Sequence, residues 1–196
     1  MERIRSICVY CGSSPGKRPE YTEAAMTFAR ALASRRIRLV YGGANVGIMG
    51  DLANTMLAHG GKVIGIMPQA LVDKEVAHSG LDELIVTQSM HERKSRMADL
   101  SDAFIALPGG IGTLEELFEI WTWAQLGFHQ KPCGILNTKG YFDSLLLFLD
   151  EAVEAGFVKK THRKMLICSE DPEELLEILG KHRPPVMDKW VTQEDL

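Results

Sequence analysis

The chain alternates between short runs of consecutive apolar residues and longer stretches in which apolar residues recur every three or four positions. Short apolar runs are typical of buried strands, and the longer pattern is typical of amphipathic helices. Residues 69–81 follow neither pattern. The chain therefore predicts strands at 4–11, 37–41, 62–67, 84–87, 103–107, 133–136 and 165–168, and helices at 21–35, 47–59, 91–99, 113–126, 142–155 and 172–179.

Strands that are apolar throughout and alternate with helices indicate a parallel sheet covered by helices on both faces. We expect an α/β fold of the Rossmann-like, doubly wound class, forming a single domain over residues 1–182. Residues 183–196 are polar and interrupted by prolines, and we expect them to form a tail outside that domain.

The carboxyl ends of parallel strands are where ligands bind in such sheets. Three glycine- or serine-rich loops follow strands there: CGSS after the first, GGANVGIMG after the second and PGGIGT after the fifth. We expect all three to lie at one edge of the sheet. The first two loops add Gly12, Ser13, Gly42 and Gly43 as candidate ligand contacts.

The glycine spacing argues against two common nucleotide sites. Glycines at 42, 43, 47 and 50 do not form the G-x-G-x-x-G pattern of dinucleotide-binding proteins, and no acidic residue ends the following strand to hold a ribose. The P-loop pattern G-x-x-x-x-G-K-[ST] is also missing from the sequence. A site of mononucleotide size is the better interpretation.

Residues 107–117, LPGGIGTLEEL, combine a glycine-rich turn with a predicted helix that begins at Thr113. Free N–H groups and the helix dipole make such a turn a good phosphate site. Glu115 and Glu116 project about 100° apart on that helix, so only one of them can face the ligand. Glu116 shares its side with Ile120 and Trp123, whereas Glu115 shares its side with Glu119. We expect Glu116 to face inward for chemistry and Glu115 to cap the helix.

The segment MHERKSRM places Arg93 and Lys94 near a helix start, after the fourth strand. Positive charge at a helix N-terminus opposes the dipole, by ~0.3–1 kcal/mol. A solvated helix face tolerates this cost. The placement of Arg93 and Lys94 is better explained if the two cations contact an anionic ligand held by the neighbouring loop. Arginine is suited to bidentate contacts with phosphate or ribose oxygens.

Composition and cysteine usage narrow the function classes. The net charge of −4 gives no broad basic surface for nucleic acid. No apolar run reaches membrane-spanning length and the N-terminal residues lack a signal-peptide cleavage pattern, so we expect a cytoplasmic protein. Cys8 and Cys11 form a C-x-x-C pair inside a predicted strand, where packing as small apolar residues is the better interpretation. We predict no metal and no cofactor.

The motifs PGGIGTLEE and MHERK, at their mutual spacing, resemble the signature of the Lonely Guy (LOG) family of cytokinin riboside 5′-monophosphate phosphoribohydrolases, which are often mislabelled lysine decarboxylases. The resemblance covers nearly the whole chain up to about residue 183. It implies a Rossmann-like homodimer that cleaves the N-glycosidic bond of a nucleoside 5′-monophosphate, releasing the free base and ribose 5-phosphate.

The resemblance also implies which residues act. The catalytic pair falls on Arg93 and Glu116. The substrate contacts fall on Glu75, Arg93, Lys94, Gly109, Gly110, Ile111, Gly112, Thr113, Leu114, Glu115, Glu116 and Thr122.

Two other functions stay open on the sequence. A nucleotide or cofactor carrier on the same fold would bind without cleaving. A base-exchange enzyme of the nucleoside deoxyribosyltransferase type would pass the sugar to a second base instead of water. Which base is preferred, adenine or an N6-prenylated adenine, is not determined by these motifs.

Overall fold

Seven parallel strands form one sheet in the order β4-β3-β2-β1-β5-β6-β7. The computed structural model describes residues 4–74 and 77–182. The strands are Ser6–Tyr10 (β1), Arg38–Tyr41 (β2), Val63–Pro68 (β3), Glu83–Thr87 (β4), Ala103–Ala106 (β5), Cys133–Leu136 (β6) and Leu166–Ser169 (β7). The order runs outward from β1 in both directions, which is the predicted doubly wound arrangement.

The described residues also contain eight helices and one short 3₁₀ helix, of which all but the last helix lie between strands. The helices are Pro19–Ser34 (α1), Gly47–Ala58 (α2), Gln69–Val72 (α3), Met90–Asp99 (α4), Ile111–Leu126 (α5), Asp143–Glu154 (α6), Lys160–Arg163 (α7) and Pro172–Lys181 (α8), and the 3₁₀ helix is Thr138–Gly140.

The side chains of β1 alternate between two apolar clusters, one on each face of the sheet. Ile7 and Val9 pack with α1, α2 and α8, whereas Cys8 and Tyr10 pack with α4, α5 and α6. Cys8 and Cys11 are buried free thiols, which confirms that they pack as small apolar residues. Helices on both faces explain why the central strands are apolar throughout.

The structure differs from the sequence expectation in its shortest elements. Helix α3, helix α7 and the 3₁₀ helix were not predicted, because segments of three or four residues cannot display a helical repeat. The predicted helix at 113–126 begins two residues earlier, at Ile111, so that start was wrong. The predicted tail 183–196 lies outside the described residues.

None of the helices in the described part of the chain is long and apolar enough to cross a membrane.

The packing of α8 gives a stability test. Leu179 is 1% exposed while its neighbour Ile178 is 38% exposed. Leu179→Ala should lower the free energy of unfolding by about 2–5 kcal/mol, because it leaves a cavity beneath α8. Ile178→Ala should change it by less than about 1 kcal/mol. Urea denaturation measures both, and equal losses would contradict this placement of α8.

Candidate active site

Backbone hydrogen bonds join the three loops at the carboxyl edge of the sheet. The Gly12 N–H donates to the Pro108 carbonyl oxygen at 3.1 Å, and the Met49 N–H donates to the Gly12 carbonyl oxygen at 3.3 Å. The first loop therefore touches both of the others, which confirms that all three lie at one edge.

Glycine is required where these loops meet. A Cβ on Gly109 would collide with Thr113 Oγ1 and would lie 2.8 Å from the Gly12 nitrogen. Gly47 has a φ of +54°, and a Cβ there would lie 2.6 Å from the Ser13 carbonyl oxygen. These glycines allow backbone to approach backbone, and the loops form a continuous wall.

The loops enclose a cavity of about 690 Å³, within the range of small-molecule sites. One part of its wall is the glycine loop at the start of α5, and Arg93 and Glu116 also line it. Another part of the wall is apolar and comes from Val46, Met49, Met67, Leu71 and Met90. The apolar wall was not predicted from the sequence, although Met67 stands at the end of a predicted strand.

Helix α5 presents a bare N-terminus to this cavity. Gly110 is its N-cap residue, with no side-chain cap, and the first helical hydrogen bond runs from the Leu114 N–H to the Gly110 carbonyl oxygen at 3.2 Å. The N–H groups of the first turn, which carries no acidic residue, are available to an anion. Because the helix begins at Ile111, Glu115 is one turn inside it, and the prediction that Glu115 caps the helix was wrong.

Arg93 is a buried cation fixed by several contacts. It comes from α4, and its Nε donates to the Ile66 carbonyl oxygen at 3.2 Å. Its Nη2 lies 3.0 Å from Glu116 Oε1. Gly42 makes room for the guanidinium, since a Cβ at that position would lie 2.5 Å from Nη2. The side chain is therefore held at the meeting point of β2, β3 and α5.

Glu116 faces inward, as the helical pattern predicted, with only 12% of its side chain exposed. Burial raises the pKa of Glu116 above its ordinary value, the Arg93 guanidinium opposes that rise and the neighbouring Glu115 carboxylate adds to it. A carboxylate beside a cavity with a raised pKa and a paired cation is suited to accepting a proton.

Glu115 projects in a different direction from Glu116 around α5 and pairs with Lys94 at the edge of the cavity. Lys94 Nζ lies 2.6 Å from Glu115 Oε1 and 2.8 Å from Glu119 Oε1. Burial opposes the charge of Lys94, but the hydrogen bonds to the two carboxylates outweigh it and raise the pKa of Lys94. Lys94 thus links α4 to α5 next to the Arg93–Glu116 pair.

The predicted substrate contacts divide into two groups. Of these residues, the cavity is lined by Ser13, Gly42, Arg93, Gly110, Ile111, Gly112, Thr113, Glu115 and Glu116. The other predicted contacts that the structure describes do not line the cavity; they are Gly12, Gly43, Lys94, Gly109, Leu114 and Thr122. Among them, Thr122 is exposed on α5. Glu75 lies outside the described residues.

Within residues 4–74 and 77–182, no three His, Cys, Asp or Glu side chains are grouped as a metal site would require.

Comparison with known proteins identifies the family of this site. Residues 49–179 match the family model described as "Possible lysine decarboxylase". The cytokinin riboside 5′-monophosphate phosphoribohydrolases LOG5 and LOG7 of Arabidopsis thaliana are each 48% identical to this chain, over 93% of it and over 80% and 84% of their own lengths. The chain belongs to the LOG family.

Solved structures more distant from this LOG chain share its fold. The molybdenum cofactor binding protein of Rippkaea orientalis is 24% identical, with a TM-score of 0.68 over 92% of this chain and 98% of its own. The molybdenum cofactor carrier protein of Chlamydomonas reinhardtii is 20% identical, with a TM-score of 0.69 over 91% and 98%. At these identities the likeness concerns the Rossmann-like fold alone.

The close approach at Gly109 gives a test of the LOG glycine loop. Gly109→Ala should lower the free energy of unfolding by about 1–3 kcal/mol, because the new methyl group overlaps backbone and Thr113. Gly112→Ala is the matched control, since no atom lies within 4 Å of its added Cβ. Urea denaturation of both variants checks this, and an unchanged stability of Gly109→Ala would contradict the packing described.

The ion pair gives an electrostatic test. Arg93 stabilises the charged form of Glu116, so Arg93→Met should raise the pKa of Glu116 further above its ordinary value. Lys94→Met should raise it less, because Lys94 acts on Glu116 more weakly than Arg93 does. Carbon-13 NMR titration of the Glu116 carboxyl group measures these shifts. A pKa that is unchanged or lower in Arg93→Met would contradict the pairing.

Proposed function

We propose that this chain hydrolyses the N-glycosidic bond of nucleoside 5′-monophosphates, with cytokinin riboside 5′-monophosphates and AMP as its substrate class. The products are the free base and ribose 5-phosphate. The observation that carries the proposal is the buried Arg93–Glu116 pair beside the bare N-terminus of α5. The chain's 48% identity to phosphoribohydrolases supports the same reaction.

The 5′-phosphate is the group that the start of α5 is suited to bind. Its charge is favoured there by the free N–H groups of residues 110–113 and by the helix dipole. Binding energy from this remote group then holds the sugar in place for reaction. The phosphate is also an anchor whose position determines which carbon of the ribose comes near Glu116.

Glu116 acts on the sugar. Cleavage of an N-glycosidic bond develops positive charge at C1′ and its ring oxygen, which a nearby carboxylate stabilises. Glu116 also accepts a proton from the attacking water as the water oxygen bonds to C1′. The bonding pair of the C1′–N bond leaves with the base, which gains a proton from solvent at a ring nitrogen.

Arg93 keeps the carboxylate ready for this step. Burial alone raises the pKa of Glu116, and a protonated carboxyl group cannot act as a base. The guanidinium offsets burial and fixes the direction of the carboxylate. Its remaining N–H groups are available to oxygens of the ribose or phosphate.

The assembly and the location of the protein are further parts of the proposal. We propose that the chain forms a homodimer, as the family resemblance implies, and acts in the cytoplasm without nucleic acid as a partner. The net charge of −4 is consistent with the last point.

Replacement of Glu116 tests the reaction. Glu116→Gln should lower kcat for release of base from AMP and from isopentenyladenosine monophosphate by about 10²–10⁴-fold, the usual contribution of a general base. The control is Glu119→Gln, the same change one helical turn along and outside the cavity lining. Chromatography of the base and ribose 5-phosphate measures both.

Three results would overturn the proposal. Wild-type protein that releases no base from any nucleoside monophosphate would indicate a carrier. A new nucleotide formed when a second base is supplied, with no ribose 5-phosphate, would indicate base exchange. Equal activity of Glu116→Gln and wild type would remove Glu116 from the chemistry.

A further inference from the structure

Tyr141 reaches the glycine loop from outside the cavity. Its hydroxyl group donates a hydrogen bond to the Gly109 carbonyl oxygen at 2.6 Å. Tyr141 does not line the cavity described above, and it comes from the connection between β6 and α6. Neither the sequence motifs nor the cavity lining identified this residue as part of the site.

The connection that carries Tyr141 has a strongly specified shape. The Asn137 side chain accepts from the Phe142 N–H at 2.7 Å and donates to Asp143 Oδ1 at 2.7 Å. Lys139 has a φ of +53° and Gly140 a φ of +70°, so two consecutive residues adopt the left-handed conformation. A turn defined in this way places Tyr141 in a reproducible position.

Aromatic contacts fix the ring of Tyr141. The ring centroid of Tyr21 lies 5.2 Å away at 73°, and that of Phe142 lies 4.9 Å away at 89°, both edge-on arrangements. Tyr21 also packs against Gly16 of the β1–α1 connection, where an added Cβ would lie 3.0 Å from the Tyr21 ring. The hydroxyl group of Tyr141 is therefore held toward Gly109.

The contact matters because of peptide geometry. The Gly109 carbonyl and the Gly110 N–H belong to one planar trans peptide unit, so they point in opposite directions. Tyr141 holds the carbonyl on the side away from the cavity, whereas Gly110 lines the cavity. Within the described residues the Gly110 N–H has no protein acceptor, so it is available to a ligand.

Gly109 and Gly110 do not by themselves fix the orientation of the peptide unit that joins them. Glycine has wide backbone freedom, and an added Cβ on Gly110 would meet no atom within 4 Å. If the peptide rotated by half a turn, the Gly109 carbonyl oxygen would face the anion site and repel a phosphate. A hydrogen bond from the outer side opposes that rotation.

We propose that Tyr141 is a positioning residue that fixes the Gly109–Gly110 peptide with its N–H toward the cavity, where it binds the substrate phosphate. This inference rests on the proposed function, which places a 5′-phosphate at the start of α5. Tyr141 acts through the loop and does not itself contact the substrate.

The test compares ligands with and without the phosphate. Tyr141→Phe keeps the ring and removes the hydroxyl group, so it should weaken AMP and ribose 5-phosphate binding by about 2- to 10-fold, the range for one hydrogen bond. Adenosine binding should be unchanged. For hydrolysis of AMP, KM should rise while kcat is largely kept, because the phosphate contact serves ground state and transition state alike.

Tyr21→Phe is the matched control. Tyr21 touches Tyr141 through its ring, and among the residues that the structure describes its hydroxyl group makes no hydrogen bond. The AMP affinity of Tyr21→Phe should equal that of wild type. All affinities are measured in the Glu116→Gln background, so that AMP is not consumed, and wild type then denotes Tyr141 in that background. Calorimetric titration of AMP and of adenosine on one sample gives an affinity ratio that does not depend on the folded fraction.

The outcomes separate the two proposals. Suppose that wild type binds AMP more tightly than adenosine, and that Tyr141→Phe shows the same ratio of the two affinities. That result would overturn the role of Tyr141 and leave the proposed function standing. Equal loss of AMP and adenosine binding would also overturn the role of Tyr141, because that result reflects general damage. Wild-type protein that binds AMP no better than adenosine would overturn the phosphate site itself, and with it the proposed function.

Discussion

The buried ion pair between Arg93 and Glu116 is the interaction on which the rest of the site depends. Each charge alone would be costly at this depth, and their attraction offsets the loss of hydration only when the geometry is well defined. The pair joins α4 to α5 across the ends of β2 and β3. A buried ion pair adds little to the stability of a fold, but this one keeps the Glu116 carboxylate charged inside a cavity.

Much of the surrounding structure holds that pair at a fixed distance from the proposed phosphate site. Gly42 leaves space for the guanidinium, and the Ile66 carbonyl oxygen accepts from it. Lys94 links α4 to α5 a second time through Glu115 and Glu119. Glu116 lies on the helix whose N-terminus is the proposed phosphate site, so a rigid element sets the distance between that site and the carboxylate.

The doubly wound fold and the inward direction of Glu116 were predicted correctly from the sequence, because both depend on periodicity. Seven apolar runs alternating with helices are sufficient to indicate a doubly wound parallel sheet. The spacing of Glu116 with Ile120 and Trp123 correctly indicated an inward direction. The place of Arg93 near a helix start indicated an anion contact, and the resemblance to the LOG family paired Arg93 with Glu116.

Other features depend on contacts between distant parts of the chain, which periodicity does not contain. Lys94 meets Glu115 only because α4 packs beside α5, and Tyr141 meets Gly109 only because the β6–α6 connection folds back over the fifth-strand loop. The start of α5 was misplaced because Gly110, Ile111 and Gly112 are poor indicators of a helix. The apolar wall was missed since its methionines and leucine come from separate elements.

The most direct test of the account is a crystal structure of Glu116→Gln with AMP bound. We expect phosphate oxygens within hydrogen-bond distance of the N–H groups of residues 110–113, and C1′ next to the side chain at position 116. A nucleotide bound in the reverse direction, with its base at the glycine loop and C1′ remote from position 116, would contradict it.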